Sequence, residues 1–134
     1  MWACTQIGSP ATPPLESNEM KMAEWSELAL LMRDIHKDAK NWRASIDAGK
    51  LVQDSVDIYS TMVNSTPTDS LVKGPVFEGF SQHYQSALDS FLLAGNIELA
   101  KVKYNNLVSS CISCHQEYCP GPIKTIEKLY FTEI

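Results

Sequence analysis

The stretch N-I-E-L-A-K-V-K-Y-N-N-L-V-S-S-C-I-S-C-H-Q-E-Y, Asn96 to Tyr118, decides how the rest of the chain is read. Ile97, Ala100, Tyr104, Leu107, Val108, Cys111, Cys114 or His115, and Tyr118 recur three or four residues apart, which stacks them along one face of a helix. Asn96 is a good N-cap, and Pro120-Gly121-Pro122 stops the helix after Tyr118. The same period runs upstream. From Glu19 onward Trp25, Leu28, Met32, Ile35, Ala39, Trp42 and Ile46 form a long amphipathic helix, with Gly49 as its stop. A second helix begins near Leu51 and carries Val52, Val56, Tyr59, Met62 and Val63, ending at the turn-rich run Asn64 to Ser70. Pro75 opens a third, whose apolar face is Phe77, Phe80, Tyr84, Ala87, Leu88 and Phe91, before Gly95. No window alternates with period two for long and no solenoid-length repeat occurs. The spacing predicts an all-α chain, an antiparallel four-helix bundle.

Residues 1–18 carry Pro10, Pro13 and Pro14 among Ser and Thr and hold too few large apolar groups to offset the entropy of ordering. They read as a flexible tether ahead of one domain spanning 19–134. A length of 134 residues leaves no room for a second core, and 44% apolar with 20% charged residues is the balance of a globular chain. Eleven Lys and Arg against sixteen Asp and Glu, a formal charge of -5, disfavour nucleic acid and anionic lipid headgroups as partners. The longest apolar run, Leu28 to Met32, is far short of the roughly 20 residues that span a bilayer.

Four cysteines stand at positions 4, 111, 114 and 119, three of them crowded into nine residues. Disulfide scaffolds scatter cysteines through the loops of a short chain, so the cluster reads as a site. Cys111-Ile112-Ser113-Cys114-His115 is C-x-x-C-H, the attachment signal of c-type haem: two thiols on adjacent edges of one helical face add to two vinyl groups, and the imidazole one turn beyond Cys111 reaches the iron. Two other chemistries use these residue types. A redox-active C-x-x-C needs a helix N-terminus to lower the thiol pKa, and here the pair lies deep in a helix. A zinc site would draw on Cys111, Cys114, His115 and Cys119, yet residues 114 and 115 point about 100° apart on a helix and there is no distant second pair.

With this motif near the end of a four-helix pattern, the chain resembles the class II c-type cytochromes, the cytochrome c-prime and low-spin cytochrome c-556 group, over roughly residues 19–118. The resemblance implies one covalent haem c inside the bundle, Cys111 and Cys114 as its thioether residues and His115 as the proximal ligand. Many members also have an acidic residue and an aromatic two and three places after the histidine, as Glu117 and Tyr118 are here. The basic residue that follows in those members is replaced by Cys119, with Pro120 ending the helix early.

The sixth ligand decides between an electron carrier and a binder of small gases such as NO and CO. Met20, Met22, Met32 and Met62 are the candidate sulfurs, and Met32 is preferred for its place on the first helix's apolar stripe, the depth at which the resembling low-spin proteins carry theirs. A methionine at helical spacing also serves as plain core filler. His36, one turn beyond, is an alternative ligand or a residue beside the haem edge, and His83 falls off its helix's stripe. Arg33, Arg43 and Lys101 are candidate propionate partners or solvated cations. The expected function is therefore a monohaem electron carrier, not an enzyme, meeting redox partner proteins that present a basic patch.

The resemblance implies assembly outside the cytoplasm, so a periplasmic location is expected, although Met1-Trp2-Ala3 lacks the character of an export signal. Cys4 after Ala3, followed by the tether, matches a lipidation site and suggests a membrane anchor at Cys4. If Cys4 carries no lipid, a Cys4–Cys119 bond becomes available.

Overall fold

The computed structural model describes residues 25–134. These form five α-helices and a 3₁₀ turn, with no strand among the described residues. The first, α1 (Glu27–Asp47), starts where the Ser26 hydroxyl accepts the Ala29 amide at 3.0 Å, and it buries Ala29, Ile35, Ala39 and Ile46 along one stripe. It ends at Ala48 and Gly49; glycine takes the positive φ of 80° there at no steric cost, and its amide and that of Lys50 cap carbonyls of the last turn.

The second helix, α2 (Ile58–Asn64), is shorter than its apolar spacing suggests: Leu51 to Asp57 is irregular. The start is fixed from outside the segment. Asp57 caps Ser60, and the amides of Ile58 and Tyr59 both donate to Gln85 Oε1 at 2.7 and 2.9 Å while Gln85 Nε2 donates to the Val56 carbonyl at 2.9 Å. A side chain 26 and 27 residues away therefore satisfies the orphan donors of the first turn.

After the 3₁₀ turn Ser70–Val72, Gly74 and Pro75 open α3 (Pro75–Leu92), and Asn96, accepting the Leu99 amide at 2.8 Å, opens α4 (Ile97–Tyr118). Both follow the sequence spacing. The fifth helix, α5 (Ile123–Glu127), follows the Pro120-Gly121-Pro122 stop and has no counterpart in the four-helix expectation. It brings Ile126, Leu129 and Phe131 into the core.

That core lies where α1, α3, α4 and the C-terminal segment meet. Tyr104 is its centre: fully buried, it places its ring edge-on to Phe91 at 5.5 Å and to Phe131 at 5.2 Å, and its hydroxyl donates to the Ala39 carbonyl of α1 at 2.8 Å. Removing a phenol from water without a partner is costly, so this bond fixes the register between α1 and α4. Beyond it, α4 continues for its last turns with the cysteines and histidine on the side facing α1.

Candidate functional site

The last two turns of α4 carry Cys111, Cys114 and His115, each half-buried. Two apolar spaces flank them. An outer cleft of about 50 Å³ is walled by Leu28, Phe77, Val72, Cys114, Tyr118 and Cys119. An inner cavity of about 30 Å³ is walled by Ile35, Ala39, Tyr84, Leu107, Val108, Cys111, Ile126 and Leu129, with His36 at one side. Among the described residues only two line both: Met32 from α1 and His115 from α4. The helical periods that place Met32 on the inner stripe of α1 and His115 on the inner edge of α4 thus bring one thioether and one imidazole to the walls of both apolar spaces.

The imidazole is held in one orientation. His115 Nδ1 lies 2.9 Å from the Cys111 carbonyl, which can only accept, so Nδ1 carries the proton and Nε2 keeps its lone pair. Burial holds the ring neutral, below the usual histidine range, with this hydrogen bond opposing in part. A neutral imidazole anchored through Nδ1 on a backbone carbonyl is the form in which histidine binds a metal.

The two thiols are the opposite of activated. Burial pushes Cys111 up to about 12, helped by the neighbouring Cys114, and Cys114 up to about 11, helped by Glu117. Catalytic thiols are activated by depressed values, and the surroundings of Cys111 and Cys114 shift them the other way. Among the described residues no group of three or more His, Cys, Asp or Glu side chains is placed to hold a metal ion. Cys119, buried at the rim of the outer cleft, is disulfide-bonded and does not join the two free thiols.

The outer wall is built from local rules. Tyr118 stands edge-on to Phe77 and Phe80, both at 6.1 Å. The loop that closes the cleft is tied to the start of α1: the Leu28 amide donates to the Thr66 carbonyl at 3.0 Å, the Thr66 amide to Glu27 at 2.9 Å and the Thr68 hydroxyl to Ser26 at 3.1 Å.

The remaining candidates separate. Met62 is buried in the core and lines neither space, so it is filler, while Met20 and Met22 lie outside the described residues, as do Cys4 and the tether. His36 shares the inner cavity with Met32, and His83 is exposed. The three cations are engaged elsewhere: Arg33 stacks on Trp25 at 4.8 Å, Lys101 lies over Phe131 at 5.5 Å, and Arg43 binds the C-terminal segment. Ile126 and Leu129, which complete the inner wall, come from α5 and the turn after it, which sequence spacing missed. Their signal was the three-residue recurrence of Ile123, Ile126 and Leu129 after the proline stop.

No family model, curated protein or solved structure matches this chain.

Proposed function

We propose that the protein is a monohaem c-type cytochrome of four-helix-bundle architecture that carries single electrons, with α1 to α4 forming the bundle. The observation that carries this is the convergence of the C-x-x-C-H motif with Met32: the only two described side chains common to both apolar spaces are an imidazole and a thioether, the pair that makes a closed, low-spin site. A haem bound there supplies one-electron exchange between ferric and ferrous iron. The chain supplies the rest. Cys111 and Cys114 hold the group through thioethers, His115 presents Nε2 with its other nitrogen fixed on the Cys111 carbonyl, and Met32 presents its sulfur from the opposite helix. Ile35, Ala39, Leu107 and Val108 exclude water, which keeps the site closed to substrates and favours outer-sphere electron exchange over catalysis.

Export follows from the same reading, and the disulfide at Cys119 supports it, since such bonds persist in oxidising compartments such as the periplasm. Among the described residues no helix is long and apolar enough to cross a membrane. Partners are redox proteins, and the net charge of -5 favours those with a basic contact patch.

Mass spectrometry of the exported protein tests the proposal: one haem stays on the chain after acid denaturation, and Cys111→Ala/Cys114→Ala releases it. Retention by the double variant, or a wild-type chain without haem, rejects the assignment.

A further inference from the structure

The C-terminal segment supplies one wall of the inner cavity. Its other walls belong to α1, α3 and α4, and only Ile126 and Leu129 roof it on the remaining side. The roof is a small unit, five helical residues and a short tail, joined to α4 through Cys119 to Pro122. So short a helix does not hold itself in place. Besides the burial of Ile126, Leu129 and Phe131 in the core, two polar side chains hold it. Arg43 of α1 donates from Nε to the Leu129 carbonyl at 3.0 Å and from a terminal nitrogen to the Tyr130 carbonyl at 3.2 Å, while its other terminal nitrogen holds Asp47 at 3.3 Å. Asn105 of α4 closes a two-bond ring with the backbone of Phe131, accepting its amide at 2.8 Å and donating to its carbonyl at 3.0 Å. Between them the Phe131 ring is buried against Tyr104, with the Arg43 guanidinium 4.7 Å above its centroid.

We propose that residues 123–131 form a latched lid over the inner side of the haem cavity, and that Asn105 and Arg43 are positioning residues whose grip sets how readily small molecules reach the iron. The inference rests on the haem reading of the cavity and adds to it: the chain excludes gases with a detachable roof as well as with Met32. Both latches hold backbone carbonyls or amides of the lid from different helices, so either can be weakened without touching a residue that lines the cavity's α1, α3 or α4 walls.

The first measurement is native-state hydrogen exchange, which needs no haem. Asn105→Ala is expected to speed exchange at the Leu129 and Tyr130 amides, which bond within the lid to Ile126 and Glu127, by about 10-fold or more for two lost hydrogen bonds, while Leu107 and Val108 keep their protection. The second is carbon monoxide association with the reduced holoprotein, in wild type if its iron is open and otherwise in Met32→Ala. Adding Asn105→Ala, or separately Arg43→Ala, is expected to raise the association rate by a similar factor with the covalent haem spectrum unchanged. Equal loss of protection in the lid and in α4 would show the segment to be part of the cooperative core and overturn the lid, as would faster lid exchange with an unchanged carbon monoxide rate. A chain without covalent haem rejects the cytochrome proposal on its own, and hydrogen exchange still decides whether the segment opens as a unit.

Discussion

The free thiols provide the most direct physical test, because the two chemistries a C-x-x-C motif supports demand opposite acidities. In the haem-free chain Cys111 and Cys114 are raised from an ordinary value of 9.0 to about 12 and about 11 by burial. At pH 8 an ordinary thiol is about one-tenth thiolate, and values this high cut the reactive fraction by about 1,000-fold at Cys111 and about 100-fold at Cys114. A more basic thiolate is a better nucleophile, with a slope near 0.5, which returns part of the loss. The net expectation is alkylation by iodoacetamide about 10-fold slower at Cys114 and about 30-fold slower at Cys111 than in the same chain unfolded in urea, read by mass spectrometry over time. The pH dependence has a definite sign: unfolded thiols ionise first, so the rate in the folded chain keeps rising tenfold per unit past pH 9, and the folded state loses stability progressively between pH 9 and about 12. A reaction that plateaus below pH 8 would mean a stabilised thiolate, refute the apolar environment and place the pair with the thiol–disulfide enzymes.

Met32→Ala is expected to remove the weak near-infrared absorption of a methionine-bound ferric haem, make the iron high-spin, admit carbon monoxide and lower the potential; if His36→Ala does this instead, His36 is the ligand, and a wild-type protein that already binds carbon monoxide freely is a gas binder. Tyr104→Phe removes only the bond to the Ala39 carbonyl and should cost about 1 kcal/mol, seen as a fall of about 3 °C in Tm. Cys4→Ser is expected to move the protein from the membrane fraction to the soluble one, as loss of a lipid anchor at Cys4 requires; an unchanged fractionation rejects the anchor and leaves the haem reading intact.

What the sequence discloses follows from how far each determinant lies along the chain. The caps at Asn96 and Pro75 and the stop at Gly49 are local, and the long stripes through Ile35, Leu88 and Leu107 carry enough turns for the 3.6 period to stand out. Met32 and His115 each sit on such a stripe, and both line the same two spaces. The roof is not legible in this way: α5 is five residues long, too short for a period, and its place depends on Arg43 and Asn105, 86 and 26 residues from their partners. The loop closing the outer cleft likewise depends on Glu27 and Ser26, 39 and 42 residues from Thr66 and Thr68.

The late start of α2 is the sharpest case, and it can be tested apart from the site. Apolar spacing alone would begin the helix near Leu51, yet Gln85 takes the first-turn amides of Ile58 and Tyr59 on one oxygen and holds the Val56 carbonyl and the Asp89 carboxylate with its nitrogen. A start one turn earlier would bury those amides in the helix ladder and leave Gln85 without its partners. Gln85→Ala deletes this bridge in a half-buried setting, so about 1 to 3 kcal/mol is expected, a fall of about 3 to 10 °C in Tm with faster amide exchange at Ile58 and Tyr59. Gln85→Glu keeps the acceptor for both amides but sets a carboxylate against the Val56 carbonyl and, one turn on, Asp89, so it should recover only part of the loss. Because no residue of α2 lines either apolar space, the haem spectrum should be the same in all three proteins. An altered spectrum in Gln85→Ala would mean that α2 supports the site through contacts the cavity walls do not reveal, and an unchanged Tm would mean that the start of α2 is set by Asp57 alone.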